Sequence, residues 1–128
     1  MYKIVGIAYS SNLLNKKDAN ITPYELKIKN ILNADDQDKD KGIKQIEDFA
    51  KDFKRAIFVG GDHSISYALI KSIRPDFLIV FDAHADLIKP TKTITSEDWL
   101  RALIEKKIID ANNVLVVGIR NYDKQEKD

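Results

Sequence analysis

The chain has 128 residues and carries 21 basic against 20 acidic side chains, a formal charge of +1. One domain over 1–128 is expected, able to bury roughly two thirds of its unfolded surface, and the charge balance excludes a nucleic-acid binder that works through a basic field. Cysteine is absent, which excludes disulfides and thiolate metal sites and fits a cytoplasmic protein, while no apolar run reaches the ~20 residues of a membrane helix.

The N-terminal MYKIVG has no signal-peptide pattern, and residues 3–9 (KIVGIAY) read as the first strand. Thr22-Pro23-Tyr24-Glu25 has the form of a capping box with proline in the first helical turn. The next residues, Leu26-Lys27-Ile28-Lys29, alternate like a half-exposed strand, and an edge strand over 26–32 is preferred. The charged stretch 33–42 (NADDQDKDKG) reads as a surface loop. Ile43, Ile46, Phe49, Ala50 and Phe53 share one helical face. A strand follows at 56–59 (AIFV), then a helix over 64–73 stopped by Pro75. A third core strand at 77–81 (FLIVF) precedes a helix over 96–107 with Trp99, Leu100, Leu103 and Ile104 inward. The last strand is 114–117 (VLVV). These runs are nearly continuous in apolar character, the pattern of parallel strands buried on both faces. Their alternation with helices predicts βαβ units with right-handed crossovers, with no repeat and no internal boundary.

Both histidines of the chain fall just past the carboxyl end of a predicted strand. One lies in Gly60-Gly61-Asp62-His63-Ser64, the other in Asp82-Ala83-His84-Ala85-Asp86. Ligands of parallel α/β sheets bind beyond those strand ends, so the two clusters are expected to face one crevice. In extended chain Asp82, His84 and Asp86 point to the same side. Carboxylates in a partly buried place cost several kcal/mol each unless paired or metal-bound, and no Lys or Arg stands within the cluster. A divalent cation resolves this, and oxygen and imidazole donors without sulfur suit Mn²⁺, with Zn²⁺, Fe²⁺ or Co²⁺ as alternatives. A phosphate cradle on Gly60-Gly61 is the rival, disfavoured by the nearby carboxylates of Asp62, Asp82 and Asp86.

GGDHS followed by FDAHAD resembles the ureohydrolase family of arginase, agmatinase and formimidoylglutamase, and Val117-Gly118-Ile119-Arg120 is similar to the end of that family's next strand. The resemblance covers nearly the whole chain, although family members are about twice as long. It implies a truncated arginase/deacetylase-like fold, a three-layer α/β/α arrangement on a mostly parallel sheet. It also implies hydrolysis of guanidino or amidino C–N bonds at a manganese centre of one or two ions. Carried over, His63 and Asp86 would hold one ion, His84 the other, Asp82 would bridge, and Asp62 would orient a ligand from behind. A small guanidino or amidino substrate and a homo-oligomer are implied in the same way.

The sequence departs from the family in three places. No Asp-x-Asp motif follows Arg120, so four of six protein ligands are present. The family's Ser-His-Gly histidine has no counterpart in Thr95-Ser96-Glu97-Asp98, where Ser96 is expected to cap the helix rather than Glu97 to serve as base. Ile88 stands where arginases often place an asparagine. No catalytic residue is assigned. In the family two later strands stand between the strand matched by 56–59 and the strand matched by 77–81, separating them by about 14 Å. Without them the strands are expected to pair directly, in about five strands of order 2-1-3-4-5, unless a complementary chain fills the gap. Turnover by the isolated chain is expected to be weak or absent. The alternatives are a non-catalytic metal-binding domain and one half of a split enzyme.

Overall fold

A computed structural model of the protein describes residues 2–11 and 17–127. Strand β1 (Lys3–Ala8) lies between β2 (Ile31–Asn33) and β3 (Ala56–Gly60), parallel to both. Strands β4 (Leu78–Phe81) and β5 (Val114–Val117) pair in parallel as a second sheet. The predicted parallel α/β character is present, but the continuous order 2-1-3-4-5 is not. The sheets are β2-β1-β3 and β4-β5, and among the described residues no ladder joins β3 to β4. Each sheet packs under its own part of the helical layer, as two separate core clusters, so β3 and β4 are held by different sets of helix contacts.

That layer consists of α2 (Lys39–Ala50), α3 (Ile65–Ile73) and α4 (Trp99–Glu105). Ile7, Tyr9, Ile46, Ala68 and Leu69 form one core cluster, and Val80, Tyr67, Trp99, Leu100 and Leu103 form the other. Ile43 packs against both. The opposite faces of the sheets are largely uncovered. Ile79 is 59%, Phe81 80% and Leu115 56% exposed, although the apolar runs predicted cover on both sides. The second outer layer of the expected three-layer arrangement is represented by the short α1 (Thr22–Glu25), whose Pro23 packs on Gly6. A Cβ on Gly6 would come within 2.7 Å of the proline.

Local differences from expectation have local causes. The 22–32 segment holds both a helical turn and an edge strand, the latter confined to Ile31–Asn33. Within the 33–42 stretch α2 already starts at Lys39, because Asp38 accepts from the Lys41 N–H at 3.1 Å as its N-cap. Helix α4 begins at Trp99, later than expected, with Asp98 rather than Ser96 at its cap position. Asp98 faces backwards and accepts from the Thr95 N–H at 2.7 Å.

Candidate metal centre

The carboxyl end of β3 is tied tightly to β1. The Gly61 N–H donates to the Ile7 carbonyl at 3.1 Å, and a Cβ on Gly61 would lie 1.6 Å from the Tyr9 carbonyl oxygen, so only glycine fits. Asp62 then clamps the turn. Its Oδ2 accepts from the N–H and the hydroxyl of Ser11, each at 2.6 Å. Its Oδ1 accepts from the Ser64 N–H at 3.0 Å and from the Ser64 hydroxyl. A carboxylate thus already sits at Ser64, the cap of α3, and the next two N–H groups go to the carbonyls of Asp62 and His63 at 3.4 and 3.1 Å, where a phosphate cradle would have needed them. Asp62 fixes the loop that presents His63.

The carboxyl end of β4 is held by the segment after β5. The Asp82 N–H donates to Val117 at 3.1 Å, the Arg120 N–H donates to Ala83 at 2.9 Å, and His84 bridges to Asn121. Asp86 adopts a left-handed backbone with φ of 55°, an arrangement that clusters at functional sites. The Arg101 N–H reaches its carbonyl at 3.4 Å.

The two ends meet. His63 Nδ1 lies 2.7 Å from Asp86 Oδ2 and 3.1 Å from Asp82 Oδ2. One donor atom from each of His63, Asp82 and Asp86 falls within 4.8 Å of the others, the spacing a metal ion needs. Asp86 is 5% exposed. His84 stands outside that trio on the solvent side, its Nδ1 3.3 Å from Asp82 Oδ1. Asp82 therefore divides its two oxygens between the two histidines. Burial pushes the Asp82 carboxyl up, but the His84 N–H, the charge of His63 and the His84 ring outweigh it and hold it below its ordinary value.

These residues open onto a cleft of about 550 Å³ whose wall adds the carboxylates of Glu97, Asp123 and Glu126. No lysine or arginine is among the described residues that line it. An imidazole and two carboxylates converging in an acidic cleft, one carboxylate buried, fit a borderline-to-hard divalent cation. The expectation that both histidine loops face one crevice is met by this geometry.

Two features were absent from the sequence reading. Trp99, read as a core residue, donates its indole N–H to Asp86 Oδ2 at 2.7 Å. Its ring packs against His63 with centroids 4.7 Å apart. The segment after Arg120 folds over the cleft, and Glu126 accepts from the Leu87 N–H at 2.9 Å and from the Asp123 N–H at 2.6 Å. Asp123 and Glu126 form a capping box, whose D-x-x-E spacing was a usable signal in the sequence.

The sequence profile of the Arginase family matches residues 5–128. The chain belongs to the arginase family. An agmatinase of Pyrococcus horikoshii is 31% identical over 71 residues, covering 55% of this chain and 24% of that protein. A formimidoylglutamase of Bacillus subtilis is 33% identical over 76 residues, again 55% of this chain and 24% of the relative. Among solved structures, the B. subtilis formimidoylglutamase superposes with a TM-score of 0.84 at 20% identity, over 98% of this chain and 50% of that one. The proclavaminate amidino hydrolase of Streptomyces clavuligerus superposes with a TM-score of 0.82 at 18% identity, over 96% and 53%. The resemblance read from GGDHS and FDAHAD is borne out as family and as fold. This arginase-family chain spans about half the length of those structures and aligns with about a quarter of the curated relatives. No helix among its described residues is long and apolar enough to cross a membrane.

Proposed function

We propose that this arginase-family chain is a single cytoplasmic domain over 1–128 that binds a manganese-type ion through His63, Asp82 and Asp86, with His84 as ligand to a second. The convergence of His63 on two carboxylates from the neighbouring sheet carries the reading. A divalent ion at such a site supplies positive charge and lowers the pKa of water toward 7. Asp82, with one oxygen toward each histidine, would be the carboxylate shared by two ions, and Asp62 would keep the His63 loop in position. The acidic wall draws a cationic guanidino or amidino substrate. Two divalent charges beside so few neutralising ligands repel each other, so the second ion binds weakly and turnover by this chain alone is slow or nil.

Manganese titration followed by thermal shift and calorimetry tests the reading. Saturable stabilisation with one tight ion is expected, and a transition temperature indifferent to Mn²⁺, Zn²⁺, Fe²⁺ and Co²⁺ overturns it. Urea release from agmatine or arginine then separates an active hydrolase from a domain in which the ion only holds two loops together.

A second reading concerns partners. Among the described residues, edge strands β3 and β4 each have one side without a partner strand, and apolar side chains cover the open sheet faces. Exposed apolar patches and bare edges of this kind are ordinarily covered. A polypeptide that supplies parallel strands between β3 and β4 fits both features. Native mass spectrometry from the source cell is expected to show a hetero-complex. Homo-oligomers alone overturn this second reading and leave the metal reading intact.

A further inference from the structure

We propose that Trp99 is a positioning residue of the metal centre, its indole N–H fixing the Asp86 carboxylate in the orientation that receives the ion. The inference rests on the metal reading above. Three observations carry it. Asp86 Oδ2 is the oxygen that approaches His63, and it is the same atom that Trp99 Nε1 reaches at 2.7 Å. Trp99 is 1% exposed and opens α4, so the donor cannot swing away. Its ring also packs against His63, which follows β3 of the other sheet. One side chain thus restrains a donor residue from each of the two loops.

The chemistry of the donor matters as much as its place. A buried lysine or arginine at position 99 would also orient Asp86, but it would neutralise the carboxylate and compete with a cation. The indole N–H is a donor without charge. It restricts carboxylate rotation while leaving the full negative charge for the ion, the arrangement in which outer hydrogen-bond partners tune metal affinity. Any buried indole N–H needs an acceptor; what sets Trp99 apart is that its acceptor is the oxygen that also approaches His63.

The test measures Mn²⁺ affinity of the full chain by isothermal titration, alongside the thermal stability of each metal-free variant. Trp99→Phe keeps an aromatic ring against His63 and removes the donor. Leu103→Ala, buried in the same cluster, weakens the core of α4 without touching a ligand. Loss of about tenfold or more in Mn²⁺ affinity is expected for Trp99→Phe, with Leu103→Ala within about twofold of the parent despite its lower melting point. Equal Mn²⁺ affinity in parent and Trp99→Phe overturns the proposal, as does an equal loss in Leu103→Ala. A parent that binds no metal overturns the metal reading itself and is distinguished by that result. The parent provides a variant-free check, because the sequence has one tryptophan. Its lone indole N–H resonance is expected to shift in step with saturation by diamagnetic Zn²⁺, and a resonance unmoved at saturation overturns the proposal.

Discussion

Nδ1 of His63 lies 2.7 Å from Oδ2 of Asp86, although the two residues follow strands of different sheets. With a ligand bound at a hundred times its dissociation constant, a protein gains about 2.7 kcal/mol of stability. His63→Ala, Asp82→Ala and Asp86→Ala are each expected to abolish most of the manganese-induced gain, read as the shift in melting temperature with and without Mn²⁺. Retention of the full shift in His63→Ala would remove that residue from the site.

Glu97 stands on the cleft wall, exposed, its N–H accepted by the Thr95 hydroxyl at 3.3 Å. It lies outside the cluster of His63, Asp82 and Asp86. Glu97→Gln should leave Mn²⁺ affinity within about twofold, since surface substitutions of this kind fall within about 0.5 kcal/mol. A tenfold weakening would make Glu97 a ligand.

At Gly61 the contact is with backbone, which cannot rotate out of the way. A methyl group would sit 1.6 Å from the Tyr9 carbonyl oxygen, so β1 and β3 must separate to admit it. Gly61→Ala is expected to destabilise by about 2–3 kcal/mol or more, measured by urea denaturation. Because the displaced turn carries His63, Mn²⁺ binding should weaken in parallel.

Asp98 is 2% exposed, and burial pushes its carboxyl above the ordinary range. Ionisation therefore costs the folded state more than the unfolded one. The contribution of Asp98 to stability is greatest below the ordinary carboxylate pKa and declines as pH rises through that value to the raised one. Asp98→Asn keeps an oxygen to accept the Thr95 N–H and removes the titration. Relative to the parent, the variant should gain stability as pH rises from below the ordinary carboxylate pKa of about 4 to above the raised one. Denaturation curves in which the difference is flat with pH would contradict this.

Ile79 and Leu115 face each other across the β4–β5 ladder and are both more than half exposed. Exchanging either for threonine removes apolar surface and leaves a β-branched side chain suited to a strand. Stability of the isolated chain should change by less than about 0.5 kcal/mol, and self-association at high concentration, followed by sedimentation, should fall. A loss above about 2 kcal/mol would mean that this face is buried in the isolated protein.

Four strands were legible in the sequence because short β-branched runs mark them, and β5 spans Val114–Val117 as read. The site loops were legible too, since residues just past parallel strands have a predictable destination. The separation of β3 from β4 was not. Strand pairing there depends on how α2, α3 and α4 pack side by side, a tertiary property that no local pattern encodes. The role of Trp99 was hidden for a related reason. At helical spacing beside Leu100 and Leu103 it reads as core, which it is, and where its N–H points is decided by a loop thirteen positions earlier in the chain. Helix α4 starts later than Ser96 suggests because the Asp98 carboxylate, buried, accepts from the Thr95 N–H and holds residues 95–98 as a turn ahead of Trp99.

Because His63 follows a strand of one sheet and its carboxylate partners follow a strand of the other, the centre ties the two sheets together at their strand ends. An ion held there would favour the inter-sheet spacing that fits it, and any contact that holds that spacing would tighten ion binding by the same free energy.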